Sequence, residues 1–125
     1  MIRLVIVFIL CLSFTLNTAC VSESNRYDTA IEEVLIQDYS SANISADPCI
    51  IVEAMKIINT SDCPTDFQYA YEEHTNAWQH SCNTGISEDS DNYNIDSGEI
   101  DETWKEVELI AEEYGARMID EIYGL

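Results

Sequence analysis

The sequence predicts an all-α fold, a small up-and-down bundle of about four helices with one long acidic loop before the last helix. Three observations support this prediction. Apolar residues recur at intervals of three and four along four segments, which is the spacing of amphipathic helices. Asp47-Pro48 and Cys63-Pro64 are helix-start signals, because the first helical position does not need the N–H that proline lacks. The sequence has no strand-like alternation and no internal repeat.

The first two helices follow from apolar spacing and from a cap. The first is predicted from Asn25 to about Ser40, and its apolar face carries Tyr27, Ala30, Ile31, Val34 and Leu35. The second starts with Asp47 as its capping carboxylate and runs to about Asn59. Apolar residues cover much of its circumference, so we expect the second helix to be well buried.

The third helix begins after Cys63-Pro64, continues through Cys82 and stops before Gly85. Because the connection after Asn59 is short, we expect it to pack antiparallel to the second helix. Residues 83–98 are polar and acidic without a sustained period, which predicts a long loop.

The fourth helix is predicted from Asp96 to about Tyr123 as one continuous element. Gly115 falls inside it at a cost of about 1 kcal/mol relative to alanine, so we expect a close helix contact there. Glu113 and Arg117 are spaced as a favourable i,i+4 ion pair on the same helix.

Residues 1–19 have the features of a signal peptide. Arg3 supplies a positive charge, and Leu4 to Leu16 follow without any charge, which is short for a membrane span. We therefore predict cleavage, with a retained membrane anchor as the alternative. What remains, residues 26–124, is long enough for a single helical domain with one core.

The processing route stays open between two alternatives. The residues before Cys20 resemble a bacterial lipobox, but Asn17 stands where that motif prefers an aliphatic residue. If Cys20 is lipidated, residues 20–25 form a polar tether. If an ordinary signal peptidase cuts nearby, the protein is soluble. Either route predicts an exported protein in the periplasm, outside the cell or on the outer membrane as a lipoprotein, with membrane contact only through the signal or a lipid.

The mature chain is strongly acidic. All 24 acidic residues follow residue 19, against four basic residues, which gives a net charge of −20 after cleavage. This charge repels nucleic acid and anionic membranes, so we expect neither as a partner. It would attract divalent cations or a basic protein; the alternative is a solvated exterior without a partner.

The cysteines predict one disulfide. Four remain after removal of the signal, in a compartment where disulfides persist. Cys63 and Cys82 lie at opposite ends of one helix, about 28 Å apart, and a disulfide spans at most about 7 Å between Cα atoms. Cys49 and Cys63 are separated by the second helix, roughly 20 Å. This leaves Cys49 with Cys82 as the predicted bond.

The state of Cys63 depends on Cys20. In a soluble form the two could bond, because the first helix starts near the same end of the bundle. If Cys20 carries lipid, Cys63 is a free thiol, and a thiol at a helix N-terminus can be acidified for a redox role. A buried structural cysteine is the alternative.

His74 is the candidate functional residue of the third helix. It lies on the apolar face and could serve as a ligand or acid–base group in a pocket between the third and fourth helices. The alternative is a core or boundary histidine whose ring nitrogen meets a neighbouring carboxylate or carbonyl. The residues predicted for this pocket are His74, Tyr71, Trp78, Trp104 and Tyr114.

Common catalytic and metal motifs are absent from the sequence. It contains no HExxH, CxxCH, helical ExxH or GxSxG. The acidic segment 83–101 is similar to a calcium loop of the EF-hand type, with oxygen ligands predicted at Asn92, Asn94, Asp96 and Asp101. A solvated loop and helix cap explain the same residues. We expect no other cofactor.

The motif CPxDFxxAYxxHxxAW spans residues 63–78, and Trp104 and Tyr114-Gly115 follow it. This pattern resembles small, uncharacterised exported proteins of bacteria. The resemblance implies a helical exported domain and brings no activity with it. We therefore predict a non-enzymatic interaction or structural protein of the bacterial cell envelope. The alternatives are a calcium-dependent binding module using residues 83–101 and a small-ligand binder or enzyme centred on His74.

Overall fold

The computed structural model describes the backbone of residues 18–84 and 93–125, and the side chains of residues 26–84 and 97–125. All regular secondary structure in these ranges is helical. The five helices of this part of the chain are α1 (Thr18–Ala42), α2 (Pro48–Met55), α3 (Thr65–Thr84), α4 (Tyr93–Glu113) and α5 (Ile119–Tyr123). The predicted all-α fold is confirmed. None of the helices in the described ranges has the length and apolar character needed to cross a membrane.

Successive long helices run in opposite directions. Cys49 at the start of α2 meets Cys82 near the end of α3. Along α3 and α4, Asp66 near the start of α3 contacts Tyr114, which directly follows α4, and His74 contacts Thr103 further toward the start of α4. Partners that lie later on one helix and earlier on the other identify antiparallel packing, so the bundle is up-and-down as predicted.

The core lies between α1, α2, α3 and α4. Its apolar side chains come from the faces that helical spacing predicts, and the largest fully buried ones are Phe67, Ile31, Leu35, Val34, Val52 and Val107. Burial of such side chains is the main favourable contribution to folding, about 1.5–3 kcal/mol for each. The packing of the core therefore fixes how the polar side chains described below face one another.

Helix α2 is shorter and more exposed than predicted. Its start matches the prediction, because Asp47 Oδ1 accepts a 2.9 Å hydrogen bond from the backbone N–H of Cys49. The helix ends at Met55 rather than near Asn59. The expectation of a well-buried helix is wrong: one face enters the core, while Ile50 is 48% exposed, and Ile57, just after the helix, is 84% exposed. An eight-residue outer helix has only one face to bury.

The prediction of one helix from Asp96 to Tyr123 is wrong, because the helix breaks at Gly115. Gly115 has φ 77°, its N–H bonds the carbonyl of Glu112, and the N–H of Ala116 bonds the carbonyl of Ala111. This pair of hydrogen bonds around a left-handed residue is a Schellman helix end. A Cβ built at Gly115 would meet nothing within 4 Å, so the expected close helix contact is also wrong.

The break changes the partner of Arg117. The predicted i,i+4 pair with Glu113 requires a continuous helix, and the helix ends at Glu113. Arg117 instead pairs with Glu32 of α1, with Nη2 2.7 Å from Oε2, and its backbone N–H donates to Oε1. These bonds tie the connection between α4 and α5 to α1.

Two further boundaries differ from the predictions. Helix α1 begins at Thr18, so the residues 20–25 predicted as a tether are helical. Helix α4 begins at Tyr93, so the later part of the predicted loop 83–98 is helical as well. The signal peptide up to residue 17 and the loop residues 85–92 lie outside the described residues.

Candidate functional site

His74 is buried in the middle of α3, with 3% of its surface exposed. Its Nε2 accepts a 3.2 Å hydrogen bond from Trp78 Nε1, and its Nδ1 lies 3.0 Å from Thr103 Oγ1. An indole N–H is only a donor, so Nε2 carries no proton. Nδ1 is therefore the protonated nitrogen of the neutral ring and donates to Thr103.

The neutral state of His74 agrees with its surroundings. Burial lowers the pKa of His74 to about 4, although a backbone hydrogen bond at Ile100 opposes the shift. Thr103 Oγ1 in turn donates to a carbonyl of the preceding turn of α4, since the oxygens of Glu99 and Ile100 both lie 3.0 Å away. With both ring nitrogens bonded, His74 is a satisfied core histidine, although its partners are an indole and a hydroxyl rather than the expected carboxylate or carbonyl.

The structure brings four of the five predicted pocket residues together. The ring of His74 lies 5.1 Å from that of Trp104, 6.4 Å from Tyr71 and 6.5 Å from Trp78, measured between centroids. Tyr114 is elsewhere. It lies ten positions after Trp104, about 15 Å along a helix axis, and its hydroxyl donates to Asp66 Oδ2 at 3.1 Å.

A buried carboxylate that was not predicted from the sequence adjoins this cluster. Asp38 of α1 is 6% exposed, and its Oδ1 accepts a 2.8 Å hydrogen bond from the Tyr71 hydroxyl. Burial raises the pKa of Asp38 to about 6, against the opposing effect of the Tyr71 bond. The signal was available, because Asp38 follows Ile31, Val34 and Leu35 at the spacing of the apolar face.

Asp38 also lines a groove of about 560 Å³ between α1, α4 and the C-terminal segment. We call it the α1/α4 groove. Its lining residues are Leu35, Asp38, Tyr39, Ala42, Trp104, Glu108, Glu112, Met118, Ile119, Asp120 and Leu125. Trp104 takes part in both the groove and the His74 cluster, and its Nε1 donates a 2.8 Å hydrogen bond to Glu108 Oε1.

The groove combines an apolar wall with negative charge. Leucine, alanine, tryptophan, methionine and isoleucine side chains alternate with four carboxylates, and no lysine or arginine is among the lining residues of the described chain. Charged groups of one sign beside low-dielectric walls concentrate ligands of the opposite sign. The groove can therefore accept a ligand that carries both apolar and cationic groups.

The structure confirms one cysteine prediction, contradicts a second and does not describe the side chain on which a third depends. The Cys49–Cys82 disulfide is confirmed, with sulfur atoms 2.02 Å apart. Acidification of Cys63 is wrong in direction: the thiol is buried, and burial together with the charge of Asp62 raises its pKa to about 11. The side chain of Cys20, its predicted partner in a soluble form, lies outside the described residues.

The calcium prediction stays a prediction. Asn92 and the side chains of Asn94 and Asp96 lie outside the described residues, while Asp101 is exposed on α4. Among the side chains that the structure does describe, no group of three or more His, Cys, Asp and Glu residues could hold a metal ion. His80, the second histidine of α3, contacts Glu99 of α4, with its Nδ1 3.0 Å from Glu99 Oε2.

Comparison of the chain with protein-family models, with curated proteins and with solved structures gave no match.

Proposed function

We propose that this protein is an exported, non-enzymatic interaction domain of the bacterial cell envelope that binds a basic and apolar segment of a partner protein in the α1/α4 groove. The observation that carries the proposal is the composition of the groove, with four carboxylates set among apolar side chains and no basic residue in its described lining. Export rests on the N-terminal sequence, with its charged start and apolar run.

The size of the groove suits this role. Ligand sites commonly measure about 300–1,000 Å³ and are mostly apolar with a few placed polar groups. At about 560 Å³ the α1/α4 groove has room for several side chains of a partner segment. Glu112 and Asp120 are exposed at its edge, where charges steer an approaching basic partner and accelerate association.

The bonding of His74 favours binding over the enzyme alternative. A general base needs a free lone pair within reach of its substrate. The lone pair of His74 Nε2 is occupied by Trp78, and the proton on Nδ1 is directed at Thr103. Binding in the α1/α4 groove does not require these groups, because they are not among its lining residues.

Trp104 provides a direct assay, because it lines the groove and the chain has two tryptophans. In a Trp78→Phe background, Trp104 is the remaining reporter. An amphipathic peptide of about 15 residues, with leucine on one face and lysine on the other, should change its fluorescence in a saturable manner.

Matched variants test whether the groove is the site. Glu108 and Glu112 line it at i,i+4 spacing, whereas Glu102 and Glu106 have the same spacing on another face of α4. We expect Glu108→Gln with Glu112→Gln to weaken binding about tenfold or more, and Glu102→Gln with Glu106→Gln to weaken it less than about twofold. Equal effects of the two pairs, or no binding, would overturn the proposal.

A further inference from the structure

The carboxylates of the α1/α4 groove differ in burial. Glu112 and Asp120 are exposed and Glu108 is partly buried, whereas Asp38 is buried. A charged group in such a position costs free energy unless a counter-charge and hydrogen bonds compensate it. Asp38 is therefore the groove residue whose ionised form gains most from a cation supplied by a ligand.

The cations of residues 26–84 and 97–125 do not provide that counter-charge. In the described part of the chain, Arg117 pairs with Glu32, Lys56 with Glu53, and Arg26 with Asp62. Lys105, the remaining basic residue there, is exposed and does not line the groove. Asp38 receives one hydrogen bond from Tyr71 on Oδ1, and a carboxylate has the capacity to accept several.

We propose that Asp38 is the specificity-determining residue of the groove and selects a primary ammonium group, that of a lysine side chain of the partner. The straight alkyl stem lies along the apolar wall formed by Trp104, Met118 and Ile119, and the ammonium donates to Asp38. This inference rests on the proposed function and names the chemistry that the groove selects within it.

The geometry favours lysine over arginine. A guanidinium gains its advantage from two parallel hydrogen bonds to both oxygens of a carboxylate. The Tyr71 hydroxyl, 2.8 Å from Oδ1, already takes one acceptor position of the Asp38 carboxylate, so the two oxygens are not equally free for that fork. An ammonium is a compact charge on a flexible stem and needs only one oxygen, so it reaches Asp38 with less displacement of Tyr71.

The test uses four versions of one leucine-rich peptide, which carry lysine, arginine, acetyl-lysine or norleucine at a single central position. Titration of the exported protein should show lysine binding about tenfold tighter than arginine, and at least tenfold tighter than the two neutral versions. Arginine binding as tightly as lysine, or neutral versions binding equally well, would overturn the inference. Free cadaverine binding as tightly as the lysine peptide would overturn the assignment to a protein side chain.

Two variants separate Asp38 from the general acidity of the groove. Asp38→Asn keeps an oxygen for Tyr71 and should abolish the preference for lysine over norleucine at this position. Tyr71→Phe removes the hydroxyl that takes one acceptor position of the carboxylate, so arginine should approach lysine in affinity. A retained lysine preference in Asp38→Asn contradicts the inference. If all peptides bind equally through Glu108 and Glu112, the proposed function stands and the inference fails; if none binds, the proposed function fails.

Discussion

Tyr71 and Asp38, 33 positions apart in the sequence, are joined in the interior by a 2.8 Å hydrogen bond from the hydroxyl to Oδ1. This bond links α3 to α1. His74, three positions further along α3, links the same helix to α4 through Thr103. The central helix thus has a buried polar connection to α1 and a partly buried one to α4, and both contain a group whose pKa is shifted by burial.

Asp38→Asn should make the protein more stable at neutral pH. The pKa of Asp38 is raised from 3.8 to about 6, so the folded state favours the protonated form. This contribution to stability is present below about pH 4 and is lost as the pH rises through 6, by about 3 kcal/mol. Urea unfolding from pH 4 to 7.5 should show that the unfolding free energy of the variant, relative to that of the wild type, increases as the pH rises. A constant difference would contradict a protonation effect.

For His74→Gln, the stability of the variant relative to the wild type should decrease as the pH rises, which is the opposite of the trend for Asp38→Asn. The pKa of His74 is lowered from 6.5 to about 4, so its contribution to stability is present above pH 6.5 and is lost as the pH falls through 4, by about 3 kcal/mol. The variant should be less stable than the wild type at pH 7.5, because Trp78 and Thr103 lose ideal partners. Its deficit should shrink on acidification. A deficit that stays constant from pH 7.5 to pH 4 would show that His74 has the same pKa in the folded and unfolded states, and one that grows toward pH 4 would mean a raised pKa; either contradicts the prediction.

Between pH 4 and pH 6, the raised pKa of Asp38 makes the wild type less stable as the pH rises, whereas the lowered pKa of His74 makes it more stable. We therefore expect a double variant, Asp38→Asn with His74→Gln, to lose both pH-dependent contributions. The difference in unfolding free energy between wild type and double variant should stay nearly constant across this interval, while each single variant changes by up to about 3 kcal/mol relative to the wild type. A double variant that follows either single variant would mean that only one of the groups titrates as described.

Removal of the Cys49–Cys82 bond should destabilise the fold. The bond closes a loop across a sequence separation of 33, for which chain entropy gives roughly 3–4 kcal/mol. Cys49→Ser with Cys82→Ser should lower the unfolding free energy by that amount, and reductant should have no further effect on the variant. Cys63→Ser is the control, since it leaves the bond intact. Reductant should still destabilise this control, and a control insensitive to reductant would contradict the assignment of the bond.

Alanine should destabilise the protein at Gly115 and stabilise it at Gly98, although both positions have room for a Cβ. Neither Gly115 nor Gly98 has an atom within 4 Å of a built Cβ, so packing does not distinguish them. Gly115 has φ 77°, and alanine there should cost about 1–2 kcal/mol. Gly98 lies within α4, and alanine there should stabilise by up to about 1 kcal/mol. Thermal unfolding of both variants measures the difference, and destabilisation by Gly98→Ala would argue against the helical backbone at that position.

The parts of the fold that depend on local signals were predictable. The start of α2 follows from the Asp47 carboxylate and the proline after it. The Cys49–Cys82 pair followed from helix lengths and antiparallel order, which exclude the other pairings with Cys63. These features depend on a few neighbouring residues or on simple geometry.

The helix break at Gly115, the burial of Asp38 and the groove were not predicted, because they depend on conflicting local patterns or on contacts between distant helices. Apolar spacing continues through Met118 and Ile122, which favoured one long helix, although Gly115 at a helix C-terminus gives the opposite signal. Asp38 occupies an apolar-face position, but a carboxylate by itself predicts exposure to solvent. Its burial depends on Tyr71 from another helix. The groove itself exists only because α5 folds back after the break, which no local pattern of α1 or α4 encodes.

The central claim is that the α1/α4 groove binds a basic and apolar segment. Chemical-shift mapping of the isotope-labelled protein during titration with the lysine peptide tests it most directly, because it locates the contact. We expect saturable shifts centred on Leu35, Trp104 and Met118, which line the groove, with little change at Gln68 and Thr75 on the α2–α3 side. Shifts centred on Gln68 and Thr75, or no saturable shifts at millimolar peptide, would contradict the account.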